Sequence, residues 1–436
     1  MLGWLLTGPC GMRVAVVGAD DGPARDAVVG VGVPEDRALR EEQLRAAKEL
    51  VERFPTNDDA VYLLGLVYET QGDVDAAMAC WEQALALDPT RADAHRSLGY
   101  AHELREELEP AETHFRKAVA LAPQEPEYRI RLAHALMLNG DAAGVLETLA
   151  AVSPPLPMAE RLRGQACQQL ERFEDARRHY ETALKLDPDF AEACYGLAQV
   201  CARLGEVETA TAYRQRFAAL KSESQTRGRR QRSAFDAVQI ARASAAQTLA
   251  DVGRVYLARQ QPGEAERRWQ RAAALDPANV PARFNRMMLL QQSGRNAEAV
   301  VLCRELIGIE PENGIHQLGL GNLLLRLDRV ADAEEAFRAV VRLAPERPEG
   351  CFALAQLLSR RADGLAEAER MAERAVALMP AAPHFFVLGR IQLRNGRLAA
   401  ARANLDRACA MEPGNAEFAR WRASVMQPTG EAPSKP

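Results

Sequence analysis

The chain has 436 residues and a formal net charge of −5. Alanine, leucine, arginine and glutamate dominate and aromatic residues make up only 6%, which favours helix almost everywhere. The mild negative charge speaks against a general affinity for nucleic acid or anionic membrane, and no stretch approaches the ~20 apolar residues of a membrane helix.

Residues 1–34 read as a disordered leader or the remnant of an export signal. Leu2, Trp4, Leu5 and Leu6 precede Thr7-Gly8-Pro9-Cys10, but the apolar run is short, the first basic residue is Arg13, and Pro9 takes the place where a small residue would precede the cysteine. Val14-Ala15-Val16-Val17-Gly18 imitates the first strand of a nucleotide-binding fold, yet Gly18-Ala19-Asp20-Asp21-Gly22 lacks the full glycine fingerprint. A helix over about 35–54 follows, half of a repeat that covers the first full unit, so 35–57 is expected to be an N-terminal cap.

A period then takes over. An apolar residue, any residue, and proline recur at Leu87-Asp88-Pro89, Leu121-Ala122-Pro123, Leu186-Asp187-Pro188, Leu275-Asp276-Pro277, Ile309-Glu310-Pro311, Leu343-Ala344-Pro345, Leu378-Met379-Pro380 and Met411-Glu412-Pro413. The prolines step by 34, 65, 89, 34, 34, 35 and 33 residues, which resolves into a 34-residue unit with one short copy and one insertion. Self-similarity at such a period signals a stacked solenoid. Each unit reads as two helices. Leu64-Gly65, Tyr68, Ala77, Trp81, Ala84 and Pro89 are repeated as Val252-Gly253, Tyr256, Ala265, Trp269, Ala272 and Pro277. Glycine and alanine at the crossing let the helices approach closely, where a larger side chain would hold them apart. Gly72-Asp73, Asn139-Gly140-Asp141 and Gly205-Glu206 supply turns inside the pairs.

These residues resemble the tetratricopeptide-repeat (TPR) signature, Leu-Gly-x-x-Tyr, Ala-x-x-x-Phe, then Pro, over residues 58–415. The resemblance implies an all-α, right-handed superhelical solenoid of antiparallel helix pairs. Ten units are expected, starting near Asp58, Ala92, Pro126, Pro157, Ala191, Ala246, Val280, Gly314, Pro348 and Ala382. In the third, Val145 replaces the alanine and Pro154-Pro155 shortens the second helix. Five repeats form a block over 58–220. A basic spacer over 221–245 contains Arg227-Gly228-Arg229-Arg230-Gln231-Arg232-Ser233, with a mobile kink expected near Gly228. A second block of five occupies 246–415, a capping helix with Phe418 and Trp421 spans 416–426, and a polar, disordered tail fills 427–436.

Chemistry-bearing residues do not converge in the sequence. The eight cysteines form no CxxC pair and suit buried free thiols in a reducing compartment. The seven histidines are scattered. His95 and His102 share a helix face but stand two turns apart, too far to chelate one metal alone. The basic run 227–232 could touch phosphate, but it lacks the interleaved aromatics that stack single strands. No catalytic, cofactor or metal site is expected.

In the family the resemblance points to, the first helix of each unit lines a concave face. That places Tyr62, Leu66, Arg96, Tyr100, Arg161, Gln165, Tyr195 and Gln199 on the wall of the first block. Arg254, Asn322, Phe352, Gln356, Phe386, Arg390 and Arg394 fall on the second, with Arg326 and Arg360 adding to its positive charge and Glu349 as the acidic exception. Tyr62 and Leu66 stand where the chaperone-binding members carry lysine and asparagine. The implied function is a non-enzymatic scaffold that holds a segment of a protein partner in its groove, an acidic one in the second block, with no cofactor and no small-molecule substrate. A cytoplasmic location is expected. The alternatives are a periplasmic or membrane-associated assembly factor whose export signal lies upstream, and the regulatory arm of an enzyme complex.

Overall fold

The structure, a computed structural model, describes residues 34–230 and 234–426. The leader with Cys10 and Val14–Gly18, residues 231–233 and the tail 427–436 lie outside the described residues. Those described contain 22 helices and no strand.

Helix α1 (Pro34–Arg53) precedes ten antiparallel pairs. In the first array the leading helices are α2 (Asp58–Thr70), α4 (Ala92–Leu104), α6 (Pro126–Leu138), α8 (Pro157–Gln169) and α10 (Ala191–Arg203). Their partners are α3 (Val74–Leu87), α5 (Leu108–Leu121), α7 (Ala142–Leu149), α9 (Phe173–Leu186) and α11 (Val207–Arg230). The second array has α12 (Ala234–Ala258), α14 (Val280–Gln292), α16 (Gly314–Arg326), α18 (Pro348–Leu358) and α20 (Ala382–Arg394) as leading helices. These pair with α13 (Pro262–Leu275), α15 (Asn296–Ile309), α17 (Val330–Leu343), α19 (Leu365–Leu378) and α21 (Leu398–Met411), and α22 (Ala416–Met426) packs on the last pair.

Local chemistry sets the boundaries. Asn57, Asp73, Asp141, Asn279 and Asn313 accept backbone N–H groups at helix starts, satisfying donors that have no partner inside the helix. The turn within a pair takes a left-handed residue, Gly72 and Gly140 at φ +81°, where glycine meets no Cβ penalty. Inside a pair the fit is tight. A Cβ at Gly65 would sit 2.4 Å from Trp81 Nε1, and one at Gly253 equally close to Trp269 Nε1. Alanine at either place costs about 1–3 kcal/mol of overpacking.

Two expectations need correction. Helix α11 runs through Gly228 to Arg230, so the kink expected there is continuous helix. Helix α12 begins at Ala234, and Val238, Ala241 and Ala245 are buried. This part of 221–245 is therefore not a spacer, because its apolar face has a partner in α1.

Helix α1 does more than cover the first unit. It packs on α2 and on α12, and α2 also touches α12. Leu39, Ala46 and Leu50 share one buried cluster with Ala60, Leu63, Val238, Ala241, Ala245 and Leu249. Gln43, only 4% exposed, donates to Thr248 Oγ1 (2.7 Å) and Ser244 Oγ (3.1 Å). At heptad spacing, Glu35, Glu42 and Glu49 pair with Arg242 (3.0 Å), Arg271 (2.8 Å) and Arg268 (2.9 Å). One helix thus joins the start of the first array to the start of the second.

Candidate functional site

Successive leading helices touch one another at α6–α8, α8–α10 and α12–α14, whereas successive partner helices stand farther apart. A stack that is closer on one side curves toward it, so at these junctions the leading helices line the inner side of the curve.

On the first array, Arg161 and Gln165 of α8 meet Tyr195 and Gln199 of α10 around one cavity of about 410 Å³. Gln168, Gln169, Glu192, Gly196 and Tyr180 complete it. Arg161 Nη1 donates to Gln165 Oε1 (3.1 Å), Gln168 Nε2 donates to Gln199 Oε1 (3.0 Å), and the Tyr180 hydroxyl donates to Gln168 Oε1 (3.2 Å). Tyr195 is half exposed, its ring 5.2 Å from Phe217 of α11. The arrangement offers clustered amide donors and acceptors beside two phenols, suited to the backbone amides of a bound polypeptide.

The other expected first-array residues are engaged within the fold. Tyr62 is buried, its hydroxyl sharing a 3.1 Å hydrogen bond with Ser97 Oγ and accepting one of 3.3 Å from Arg96 Nη2. The Arg91 guanidinium covers its ring at 4.4 Å. Burial pushes the Tyr62 phenol above its usual pKa. Leu66 packs beside two core clusters, and half-buried Tyr100 lies under Arg131 at 5.6 Å. Tyr62 is thus a packing residue, because the next unit supplies both partners of its hydroxyl.

On the second array, Asn322 and Gln356 are exposed and Phe352 is half-buried, 4.8 Å from the His384 ring. Arg254 is exposed but bound to Asp251 at 2.7 Å. Phe386 is buried, stacked at 4.5 Å on Phe418 of α22. The Arg390 guanidinium lies 4.7 Å from the Trp421 ring and 5.4 Å from Phe386, with Nε buried and unpartnered. Burial pulls its pKa down, with Arg394 adding to that and Glu417 opposing it. Phe386 and Arg390 are therefore covered by the capping helix, which the linear repeat pattern could not indicate. Arg394 is exposed and donates to the Ser359 carbonyl. Arg326 and Arg360 are exposed and have no ion pair among the described residues.

Half-buried Phe284, Met288 and Leu318 belong to the same wall and were not expected there. The signal for Phe284 and Leu318 was the 34-residue spacing they share with Phe352, and Met288 stands at the same spacing before Asn322 and Gln356. The histidines have local partners. His95 and His114 face each other at 3.0 Å between Nδ1 atoms, and His179 and His316 bond Glu160 and Glu310. Among the described residues no three His, Cys, Asp or Glu side chains are placed to hold a metal. Cys80, Cys167, Cys194, Cys201, Cys303 and Cys351 are free and buried, and no described helix is long and apolar enough to cross a membrane.

Among solved structures, the chain resembles the Cut9–Hcn1 hetero-tetramer of APC/C, at 16% identity over 88% of this chain and 92% of that one, with a TM-score of 0.34. It also resembles yeast Tom70 (14%, 84% and 93%, 0.34). MamA from Desulfovibrio magneticus RS-1 matches at 20% identity over 39% of this chain and 97% of that one, with a TM-score of 0.35. At such scores the likeness carries no argument about this chain. No curated protein matches it. A tetratricopeptide-repeat profile matches residues 37–79, 161–223, 251–313, 352–416 and 386–425, more than half of the chain. Related repeat profiles match 70–105 and 290–360. The signature residues, the paired helices and these matches together make the chain a member of the tetratricopeptide-repeat family.

Proposed function

We propose that this protein is a scaffold that binds a segment of another polypeptide along the inner wall of its helix stack and has no catalytic role of its own. The observation that carries this reading is the cavity between α8 and α10. Arg161, Gln165, Tyr195 and Gln199, which come from two helices about thirty residues apart, converge there with two further glutamines. Clustered amides and phenols present donors and acceptors at low entropic cost, which suits capture of a polypeptide backbone. In the second array the exposed arginines favour an acidic segment, since a row of like charge on a concave wall concentrates potential.

A photo-crosslinking residue at Gln199 tests it, with one at Glu335 on the exposed face of α17 as control. Polypeptide adducts are expected from Gln199, reduced by Gln165→Ala/Tyr195→Ala, and not from Glu335. Equal crosslinking from both faces would count against the groove.

A further inference from the structure

The inner wall of the second array is ruled into three parallel rows. Residues 284, 318 and 352 occupy one place in successive leading helices; 322 and 356 lie four residues on; 326, 360 and 394 lie four beyond those. Each row repeats every 34 residues, and four-residue steps set neighbouring rows about 6 Å apart on a helix face. In α14 the three places hold Phe284, Met288 and Gln292; through α16 and α18 the first row stays apolar and half-buried, the second carries the exposed amides of Asn322 and Gln356, and the third carries exposed arginines. At the next step Phe386 and Arg390 continue the first two rows but are covered by Phe418 and Trp421, so α22 closes that end of the wall.

We propose that this wall binds an extended peptide segment whose apolar and acidic side chains alternate, its backbone running along the amide row. The assignment rests on the groove reading above and adds the conformation and chemistry of the segment. Successive side chains of an extended chain point to opposite sides. One edge would therefore meet Phe284, Leu318 and Phe352, and the other Arg326, Arg360 and Arg394. A carboxylate is the complement of a guanidinium fork, and Arg326 and Arg360 have no carboxylate partner among the described residues. The middle row decides the conformation. A helical partner has its backbone groups satisfied internally, leaving Asn322 and Gln356 with nothing to bond, whereas an extended backbone presents free N–H and C=O groups.

The test is selection of a displayed random 12-residue peptide library on the full chain, followed by affinity measurement with the enriched synthetic peptides. Enrichment of alternating acidic and apolar residues is expected. Arg326→Glu/Arg360→Glu should weaken the best peptide by about tenfold or more and flatten its salt dependence. Asn322→Ala/Gln356→Ala should weaken it without changing that dependence, and the bound peptide should give an extended-chain amide spectrum. Peptides that lose binding in Phe352→Asp but carry no acidic excess, or that bind as helix, would overturn this assignment and leave the groove reading standing. Peptides indifferent to all of these substitutions would remove this wall as a binding surface, while the groove reading would still stand or fall on the crosslinking at Gln199.

Discussion

Gln43 and Thr248 meet as donor and acceptor at 2.7 Å although 205 residues separate them in sequence. The bond is buried, flanked by Ser244, and framed by the three glutamate–arginine pairs of α1. A buried amide of this kind is costly to leave unsatisfied, so it fixes the register of α1 on α12. The flanking ion pairs, being largely exposed, add little stability and mainly orient the contact.

This contact changes what cutting the junction between the arrays should do. Trypsin is expected to cleave first within 227–232, where arginines cluster beyond the exposed stretch Lys221–Gln225. The sequence alone suggests two halves that then part. With α1 seated on α12, the fragments should instead co-elute by size-exclusion chromatography. Leu39→Asp/Gln43→Arg should let them separate while each keeps its helical spectrum. Separation of the unsubstituted fragments on nicking would show that α1 does not hold the arrays together.

Ala265 is fully buried where α13 meets α12, and neighbouring Glu264 is half-buried and paired with Arg267. Ala265→Glu combines overpacking with an unpaired buried carboxylate and should cost on the order of 3 kcal/mol. Glu264→Ala removes one surface ion pair and should cost less than about 1 kcal/mol. Urea denaturation of the two variants compares them directly, and equal midpoints would contradict the packing at this crossing.

The repeat was legible because its determinants are local. Proline, glycine and a large aromatic fall at fixed offsets within each unit, and α2, α4, α14, α16 and α20 begin where that period places them. The α1–α12 contact was not legible. Its glutamates and arginines are ordinary helix-surface residues, and their pairing depends on how two distant helices meet. The wall was partly legible. The cavity residues converge because neighbouring units repeat the same face, whereas Tyr62, Phe386 and Arg390 are taken up by packing that depends on the adjoining unit or the cap. Phe284 and Leu318 share the 34-residue register of Phe352, but as apolar helix residues they resemble the core in sequence, and their partial exposure is what sets them apart from it.

His114 of α5 stacks with His102 at 5.4 Å and faces His95 across 3.0 Å. Lys117 acts on His95 and His114, and Glu107 Oε2 lies 2.6 Å from His102 Nδ1. Burial first, then His95, His102 and Lys117, pull the His114 pKa down to about 4, and burial also lowers that of His95. An unfolded imidazole titrates near 6.5. As pH falls from about 6.5 toward 4 the unfolded state binds more protons than the folded one. The cluster's stability is therefore intact above that window and is lost progressively through it. Melting temperature should fall more steeply between pH 7 and 4.5 in the unsubstituted protein than in His114→Gln; identical slopes would place the acid sensitivity elsewhere.

Trp81 and Trp269 hold the same place in two units, each buried against a glycine, yet their indoles differ in one respect. Trp269 Nε1 donates to the Ala250 carbonyl at 2.9 Å, whereas Trp81 Nε1 is buried without an acceptor. Replacing either with phenylalanine removes similar ring volume and leaves a similar cavity, so the packing losses should nearly cancel in a comparison. The hydrogen-bonding consequences have opposite signs. Trp269→Phe loses a satisfied bond worth about 1 kcal/mol, while Trp81→Phe relieves an unsatisfied donor that costs about 1–3 kcal/mol. Trp269→Phe should therefore be the more destabilising by about 2–4 kcal/mol. Repeat arrays can open locally, so hydrogen exchange should be read separately in α2–α3 and α12–α13 alongside urea denaturation. Protection should fall more in α12–α13 of Trp269→Phe than in α2–α3 of Trp81→Phe. Equal losses would mean that the Trp81 indole finds an acceptor in solution, and that the two crossings are energetically alike.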